Sequence, residues 1–375
     1  AGWERANWFA PKGVKAEYEY TYGRQNWFPH SGAEHQACRE GVVMFDQSSF
    51  AKILVQGRDA ERVLNRLSAN NVAVEPGRVV YTQWLNPKGG IEADLTVTRI
   101  DEQKFMVVTS AACQRRDMDW LMRNTPDDAH AIATDVTSGL ATLSVMGPKS
   151  RDLLQSLTPD DLSNAAFAFG ASREIDIGYA RVRATRITYV GELGWELYIP
   201  TEFVQNVYDA IVAGGAAFGL KHAGYHALNS LRIEKAYRHW GHDIGPDDDP
   251  IQAGLGFCVA WDKKGGFIGQ EALSARRGKQ PKKRLVQFAM ESDKPMLYHN
   301  EPIWRDGKQV GYLSSGMFGH TIGRAIGLGY VKAADECTAD YVNAGKYEIE
   351  VARERLPAKA SLKPLYDPTS ARIKG

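Results

Sequence analysis

The chain has 375 residues, of which 43% are hydrophobic and 24% are charged, the composition of an ordinary globular protein with room for two or three domains. Its 46 basic and 45 acidic residues nearly cancel, which excludes the one-signed field typical of nucleic-acid-binding and membrane-surface proteins. No apolar run approaches the roughly 18 residues of a membrane span.

The sequence starts at Ala1 without a secretion signal, so we expect either a processed N-terminus or a piece of a longer chain. Its cysteines contain no CxxC pair; they are Cys38, Cys113, Cys258 and Cys337. This spacing argues against a zinc ribbon or a disulfide framework. It favours buried thiols in a protein of a reducing compartment.

The first part of the chain mixes helices with hairpins. Residues 48–100 predict strand, helix, strand, strand, because "FAKILVQG" alternates, "GRDAERVLNRLSAN" has helical spacing and strands flank "NPKGG". A helix over 110–123, a strand in "GLATLSVMGP" and a helix opening at "GPKSRDLLQSL" follow. Residues 181–200 then predict a hairpin, and "PTEFVQNVYDAIVAGG" and "GYHALNSLRIEKAYRH" predict two helices.

The composition changes at "ARRGKQPKKRL", residues 275–285. We interpret this basic run as a solvated connector rather than a nucleic-acid arm. Short glycine-punctuated strands follow it, in "RLVQFAM", "EPIWRDGKQVGYLSSG", "AIGLGYV" and "KYEIEVA", and predict a small β-barrel or sandwich. We therefore expect one domain over residues 1–278 and a β-barrel domain over 283–375.

The order of the elements favours an α+β fold with antiparallel sheets, because helices and hairpins alternate without a strict β-α repeat. No GxGxxG follows a predicted strand, so a dinucleotide-binding fold of the usual kind is not expected within this sequence.

The hairpin "VVYTQWLNPKGGIEADLTV" places acids in a strand, where they are unfavourable. If residues 86–89 form a four-residue loop, Tyr81 lies directly opposite Asp94. Glu92, Asp94, Thr96 and Thr98 then share one face of the second strand. A slip of one residue in the pairing would reverse that face.

A second hairpin, "RITYVGELGWELY", repeats the arrangement. With residues 191–194 as its loop, Tyr189 lies opposite Glu196. Two tyrosine–carboxylate pairs beside glycine turns suit a polar heteroaromatic ligand, since rings stack and carboxylates accept hydrogen bonds from ring N–H groups. The alternative is a pair of ordinary amphipathic hairpins with their polar faces in water.

The stretch "LRIEKAYRHWGHDI" ends a predicted helix with several polar side chains. His239 and His242 share a face there, with Asp243 as a third candidate ligand, but no HExxH pattern is present and no metal site is predicted. A polar helix end lining a cavity is the favoured interpretation. Arg232 either clamps a carboxylate of a ligand or forms a structural ion pair with Glu234 or another acid.

Taken together, these stretches resemble the aminomethyltransferase family, the glycine-cleavage T-protein and its relatives. "LNPKGGIEADLTV", "YVGELGWELYIP", "LRIEKAYRHWGHDI", "AGLGFCV", "GFIGQEAL" and "VGYLSSG" occur in order over nearly the whole chain. A narrower likeness is to the C-terminal, folate-binding half of dimethylglycine and sarcosine dehydrogenases. It is carried by "ERANWFAP", "YGRQNWFP", "EHQACREGVVMFDQSSFAKI", "GHDI" and "PLYDPTSARIKG".

The resemblance implies two interleaved antiparallel α+β subdomains plus a C-terminal β-barrel, a cloverleaf around a central cavity that holds tetrahydrofolate. By motif, Asp94 matches the family's essential aspartate near N5 and N10 of the folate, and Tyr81 matches an aromatic contact. Tyr189 and Glu196 match the YxGExGxE pattern, whose glutamate holds the pterin.

Two further residues are implied as folate contacts by the same motifs. Arg232 matches the arginine of the family's LRxE pattern. Trp240 stands where the T-protein usually has tyrosine, so it departs from the pattern.

The implied function is acceptance of a one-carbon unit, as iminium or formaldehyde, by tetrahydrofolate from an N-methylated amine such as dimethylglycine or sarcosine. The product is 5,10-methylenetetrahydrofolate, and FAD is expected only on a missing or partner dehydrogenase domain. A freestanding T-protein-like transferase or demethylase and a noncatalytic folate-binding regulatory subunit are the alternatives. We expect no nucleic acid or membrane partner, and a cytoplasmic or mitochondrial-matrix location.

Overall fold

Two sheets and a closed barrel carry the fold in the computed structural model, which describes residues 2–21 and 23–375. The first sheet has six strands in the order β11-β1-β7-β10-β9-β8. Its neighbours pair antiparallel except for β1 with β11. The strands are β1 (Val43–Asp46), β7 (Leu140–Met146), β8 (Ser172–Ile177), β9 (Ala180–Thr185), β10 (Gly194–Pro200) and β11 (Lys221–His222).

The second sheet is antiparallel and has five strands in the order β3-β4-β5-β2-β6. All of them lie between β1 and β7 in the chain, so the two α+β units are interleaved, as expected. The strands are β2 (Ala51–Gln56), β3 (Arg78–Leu85), β4 (Ile91–Asp101), β5 (Lys104–Thr109) and β6 (Ile132–Asp135).

The barrel closes in the order β12-β15-β14-β13-β16-β17, which leaves it without an unpaired edge. The expected α+β class with a C-terminal β-barrel is therefore confirmed, while the domain limits at 278 and 283 stay predictions. The strands are β12 (Lys283–Met290), β13 (Pro302–Arg305), β14 (Lys308–Gly319), β15 (Arg324–Lys332), β16 (Tyr347–Val351) and β17 (Glu354–Ser361).

Helices pack on both faces of the six-stranded sheet, on one face of the five-stranded sheet and on the barrel. They are α1 (Phe28–Glu40), α2 (Ala60–Leu67), α3 (Gln114–Arg123), α4 (Ser150–Gln155), α5 (Val204–Gly215), α6 (Tyr225–Glu234), α7 (Gln270–Ser274), α8 (Ala339–Ala344) and α9 (Ala371–Lys374). Single 3-10 turns lie at Ala111–Cys113, Thr137–Gly139, Thr201–Phe203, Ala216–Phe218 and Gly256–Cys258. No described helix combines the length and apolar composition needed to cross a bilayer.

Each sheet has an outer face, which belongs to an apolar core, and an inner face on the opposite side, because side chains alternate along a strand. Ala93, Leu95 and Val97 of β4 belong to the core under α2. Trp195 and Leu197 of β10 belong to a separate core with α4 and α5. The residues that alternate with these along β4 and β10, such as Asp94 and Glu196, therefore point to the opposite, inner faces of the two sheets.

The inner faces meet where Tyr198 of β10 packs with Met106 and Val108 of β5. The barrel packs against α6, since Ile233 of this helix shares an apolar cluster with Ile326 and other barrel residues. Side chains on the inner faces of the two sheets therefore point into the same region.

Two features of the helices differ from the sequence predictions. The helix α1 was not predicted. The helix α6 ends at Glu234 rather than near residue 239, because Ala236 adopts a left-handed backbone with φ of 53°. His239, Trp240 and the residues that follow therefore lie in turns after the helix and not on its end.

Candidate active site

Asp94 lies on the inner face of the five-stranded sheet, directly opposite Gln83. Gln83 is fully buried, and its Nε2 donates a 2.8 Å hydrogen bond to Asp94 Oδ1. The predicted pairing with Tyr81 is wrong by two residues, since Tyr81 pairs with Thr96. The loop spans five residues, from Asn86 to Gly90, and a register shift between Trp84 and Leu85 adjusts the ladder.

The error of two leaves the predicted face intact, because the side-chain period of a strand is also two. Tyr81 therefore still shares the inner face with Asp94, and its phenol lies beside the carboxylate. Burial raises the pKa of Tyr81, and the Asp94 charge adds to that effect. The phenol is thus a neutral hydrogen-bond donor at this position.

Burial raises the pKa of Asp94 to about 6, although Gln83, Tyr81 and the Arg238 charge all favour the carboxylate. The side chain nevertheless keeps partial access to a solvent probe. Asp94 is therefore a largely buried acid that titrates close to neutral pH, the property expected of a group that exchanges protons.

Glu196 lies on the inner face of the six-stranded sheet, which is the face that packs toward β5. Tyr198 Oη donates a 2.5 Å hydrogen bond to Glu196 Oε2. Burial raises the pKa of Glu196, against the hydrogen bond from Tyr198 and the charge of the buried Lys52. Asp94 and Glu196 thus occupy the facing sides of two apposed sheets, and both remain partly accessible.

The predicted pairing of Tyr189 with Glu196 is wrong. Glu196 pairs with Thr185 across the β9–β10 ladder, so residues 186–193 form an eight-residue connection, which we call the Tyr189 loop. Its glycines predict a tight turn, but strand β9 ends at Thr185 and strand β10 begins only at Gly194.

Tyr189 still lies near the other predicted residues. Its hydroxyl donates a 2.8 Å hydrogen bond to the carbonyl oxygen of Arg238, and its ring stacks on Tyr237 with centroids 6.0 Å apart. Burial raises the pKa of Tyr189, and its ionisation is also sensitive to the charges of Arg232 and Asp94. The Tyr189 loop therefore brings an aromatic ring to the Asp94 region without strand pairing.

Arg232 is engaged in a structural network. Its guanidinium, 2% exposed, forms a 2.8 Å ion pair with Asp243. It also donates to Asn229, to the carbonyl oxygen of Tyr237 and to Ser315 of the barrel. The salt-bridge alternative is therefore observed, with Asp243 and not Glu234 as partner, while a contact of Arg232 with a ligand stays a prediction.

Trp240 packs over the start of the first hairpin. Its Nε1 donates a 3.0 Å hydrogen bond to the carbonyl oxygen of Ile91, and the Arg116 guanidinium lies 4.1 Å from its ring centroid. Arg116 in turn pairs with Glu92, which precedes Asp94 by two residues on β4. Glu92 therefore has an ionic partner, whereas Asp94, two residues further along the inner face, has none among the described residues.

The two histidines after α6 contact each other, with ring centroids 4.6 Å apart. Asp243, the third candidate ligand, accepts hydrogen bonds from Arg232 and from the backbone N–H of His239. Within residues 2–21 and 23–375, no group of three or more His, Cys, Asp or Glu side chains is placed to hold a metal ion.

Sequence reasoning missed Gln83, Arg238 and Cys258 beside Asp94. Gln83 follows Tyr81 by two residues on β3, so the strand period alone predicts that both lie on the inner face. The error in the predicted register concealed that Gln83 pairs with Asp94. Cys258, Cys113 and the remaining cysteines are buried free thiols, as predicted.

Two hollows lie elsewhere on the described surface. One of about 660 Å³ is lined by Trp261 and Lys263 among others. The other, of about 400 Å³, lies between Trp3, Tyr208 and His222. Neither is lined by any of the six predicted site residues; the side chains around Asp94 form the candidate site because of their chemistry.

Comparison with family profiles adds an independent finding. Residues 1–263 match the profile described as the GCVT N-terminal domain, and residues 283–367 match the glycine cleavage T-protein C-terminal barrel domain. The solved glycine cleavage system aminomethyltransferase T from Bartonella henselae superposes with a TM-score of 0.81 at 23% identity, covering 94% of this chain and 95% of that one. This likeness shows the fold.

Three curated relatives have similar sequences. All of this chain aligns at 44% identity with 44% of the 4-methylaminobutanoate oxidase (formaldehyde-forming) of Paenarthrobacter nicotinovorans. It aligns at 34% identity with 43% of the mitochondrial dimethylglycine dehydrogenase of Homo sapiens. The aminomethyltransferase of Caldanaerobacter subterraneus is 33% identical over 88% of this chain and 85% of its own. The chain thus spans less than half of the first two relatives.

Proposed function

The chain belongs to the glycine-cleavage T-protein family of aminomethyltransferases, and from that premise we propose that it forms 5,10-methylenetetrahydrofolate by joining a one-carbon unit to tetrahydrofolate. The unit arrives as an iminium ion or as formaldehyde from a small N-methylated amine. The names of the oxidase and of the dimethylglycine dehydrogenase support a methylated amine as the donor.

The observation that carries the proposal is the environment of Asp94. The carboxylate is buried beside Tyr81 and Gln83, has a pKa of about 6 and yet retains an accessible surface. An acid held in this way ionises near neutral pH and sits where water is scarce, so its charge acts strongly on a neighbouring cation.

The residues around Asp94 fit a reduced pterin. Tyr81 and Tyr189 offer rings for stacking, and Glu196 offers a carboxylate on the opposite sheet for the N–H donors of the pterin edge. The buried Gln83 Oε1 has no hydrogen-bond partner among the described residues. One acceptor beside Asp94 is therefore available for a hydrogen bond from a ligand.

Tetrahydrofolate, when bound, would supply the two nitrogen atoms that bond to the carbon, while an iminium donor leaves as its amine and a proton, or the oxygen of formaldehyde leaves as water. Asp94 as carboxylate stabilises the positive charge of the arriving carbon centre and then takes up or relays the proton released. Tyr81 and Gln83 keep the carboxylate oriented by hydrogen bonding to it. Confinement between two sheets replaces a dilute encounter of two reactants with a positioned one and keeps a reactive aldehyde out of solution.

The donor and the redox partner belong to the proposal as well. Oxidation of an N-methyl amine requires an electron acceptor, which we assign to a flavin dehydrogenase domain or subunit outside this sequence. The four buried, unpaired thiols are compatible with a reducing compartment, and we propose the cytoplasm or the mitochondrial matrix.

A second candidate is a freestanding aminomethyltransferase. The match to the Caldanaerobacter enzyme favours it, because the two chains align over most of both lengths. A noncatalytic folate-binding subunit is the third candidate. Asp94 argues against it, since binding alone does not require a buried acid that titrates near neutral pH.

The test starts with calorimetric titration of the purified chain with tetrahydrofolate. We expect saturable one-site binding. Formaldehyde is then added, and the rate of methylenetetrahydrofolate formation is compared with that of the uncatalysed reaction without protein. Absence of binding would contradict the proposal altogether. Binding without acceleration by wild-type protein would select the noncatalytic candidate, and a requirement for an aminomethyl-loaded carrier would select the freestanding transferase.

A further inference from the structure

The last residues of the chain lie against the Tyr189 loop, far from it in sequence. The loop spans residues 186–193, and the segment that contacts it, which we call the C-terminal strap, spans residues 365–375. Resting on the function proposed above, we propose that the C-terminal strap positions Tyr189 for folate binding, with Arg372 as its main positioning residue.

The first contact is an ionic clamp on Glu192, three residues after Tyr189. Glu192 is 1% exposed. Arg372 Nε donates to both of its carboxylate oxygens, at 2.7 and 2.9 Å, and Tyr366 Oη donates to it at 2.6 Å. Arg39 of α1 completes the set at 3.0 Å. Two guanidinium groups and a tyrosine hydroxyl therefore fix this buried carboxylate in place.

Arg39 connects the clamp to the loop backbone. The same guanidinium donates a 2.7 Å hydrogen bond to the carbonyl oxygen of Val190, next to Tyr189, and packs 3.8 Å from the Tyr366 ring centroid. The strap residue Arg372 in turn donates to the backbone carbonyl of Arg39. Strap, α1 and loop therefore form one connected unit.

The second contact runs through Lys235. Its Nζ donates a 2.6 Å hydrogen bond to the carbonyl oxygen of Asp367 in the strap. Its aliphatic stem fills the space beside Gly191, where an added Cβ would lie 2.3 Å from Lys235 Cγ. Gly191 also has a positive φ of 80°, so the loop can pass the lysine only with glycine at this position.

The third contact holds the beginning of the loop. Arg186, 1% exposed, donates a 2.7 Å hydrogen bond from Nη2 to the carbonyl oxygen of Lys374. The strap thus reaches the loop at Arg186, at Gly191 through Lys235, and at Glu192. These positions bracket Tyr189 on both sides.

Charge balance explains why the strap is needed. In the network around Glu192 and Lys235, the acids Glu192, Glu234 and Asp367 pair with the cations Arg39, Lys235 and Arg372, of which Arg372 is 39% exposed. Removing one member leaves an uncompensated charge, which drives local rearrangement or water entry. Because residues 186–193 belong to no strand, these side-chain contacts take the place of ladder hydrogen bonds in holding the loop.

The first experiment measures amide hydrogen exchange in wild-type protein and in Arg372→Met. We expect faster exchange over residues 186–193 in the variant and unchanged exchange in β7. Arg181→Met is the matched control, because Arg181 lies on the neighbouring strand β9 in an exposed ion pair. Equal protection of the loop in Arg372→Met and wild type would overturn the proposal. If Arg372→Met does not fold, Tyr366→Phe replaces it, since that change removes a single hydroxyl contact with Glu192.

The second experiment is a double-mutant cycle on tetrahydrofolate affinity. Arg372→Met should weaken binding about fivefold or more with Tyr189 present and less than about twofold in a Tyr189→Ala background, because coupled residues are non-additive. Equal losses in both backgrounds would show that the strap does not act through Tyr189. Failure of wild-type protein to bind folate would instead contradict the proposed function. The hydrogen-exchange measurement would still test whether the strap holds the Tyr189 loop.

Discussion

Gln83 donates a 2.8 Å hydrogen bond to Asp94 from the position directly opposite it in the β3–β4 hairpin. The donor is fully buried and belongs to a regular strand, so the orientation of the carboxylate is set by sheet geometry and not by a mobile loop. This relationship makes the pKa of Asp94 sensitive to Gln83, the residue paired with it across the hairpin.

Replacing Asp94 should separate catalysis from binding. In Asp94→Asn we expect methylenetetrahydrofolate formation to fall to the uncatalysed rate, because the amide cannot take up a proton or stabilise a cation. Tetrahydrofolate affinity should stay within about tenfold of wild type, roughly 1.4 kcal/mol. Stopped-flow absorbance and calorimetry measure the two quantities; undiminished turnover in the variant would remove Asp94 from the reaction.

The pH dependence of the rate should report Asp94. Its pKa is about 6, and the carboxylate is the active form, so the enzymatic rate should fall as the pH decreases through 6. Gln83→Met removes the N–H donor that favours the carboxylate. The acid limb should therefore move upward by roughly one pH unit, since a hydrogen bond to a charged group contributes about 1.5 kcal/mol. Gln309→Met, an exposed change on the barrel, is the control; an unshifted limb in Gln83→Met would dissociate the limb from this contact.

Glu196 should govern affinity rather than turnover. Glu196→Ala leaves the pterin N–H donors without an acceptor, at a cost of about 1 to 3 kcal/mol, or roughly 5- to 150-fold in dissociation constant. Glu174→Ala, at an exposed position of β8, should leave the dissociation constant unchanged. Calorimetry giving wild-type affinity for Glu196→Ala would exclude this residue from the folate site.

The buried Arg39–Glu234 pair should control acid stability. Burial acts to raise the pKa of Glu234, but the His35 hydrogen bond and the Arg39 charge outweigh it and lower the pKa to about 2 from 4.5. A lowered folded-state pKa stabilises the protein above pH 4.5, and that stabilisation is lost as the pH falls from 4.5 toward 2.

Glu234→Gln should therefore reduce the free energy of unfolding at pH 7 by about 3 kcal/mol, the usual cost of leaving one buried charge uncompensated. The difference from wild type should shrink as the pH falls toward 2. Urea denaturation at a series of pH values measures both, with Glu102→Gln at an exposed ion pair as the control. A constant difference across the series would contradict the assignment.

Periodicity was sufficient for the outline of the fold and for the face of Asp94. The alternation in β4 separates Asp94 from Leu95 whatever the exact pairing, so an error of two in the register did no harm to the predicted face. Gln83 was lost for the same reason, because its identity as the partner depends on the exact register and hence on the length of the Asn86–Gly90 loop.

The second hairpin shows where local pattern fails. "VGELG" has the glycines of a tight turn, but Gly191 is required by the Lys235 side chain beside it, not by a turn between paired strands. Glu192 likewise takes its conformation from Arg372, 180 residues further along the chain. Contacts over such separations leave no periodic signal in a single sequence, and neither does the ion pair of Arg232 with Asp243.

Cys258 and Cys113 lie near Asp94, where the proposed aldehyde could react with a thiolate. Burial raises the pKa of Cys258 and of Cys113, so both sulfur atoms stay protonated at neutral pH and are weak nucleophiles. An aldehyde released between the two sheets would meet thiols in their unreactive form, and self-inactivation by hydroxymethylation would be slow. Under the proposed function, resistance to the aldehyde would follow from the burial that keeps those sulfur atoms protonated.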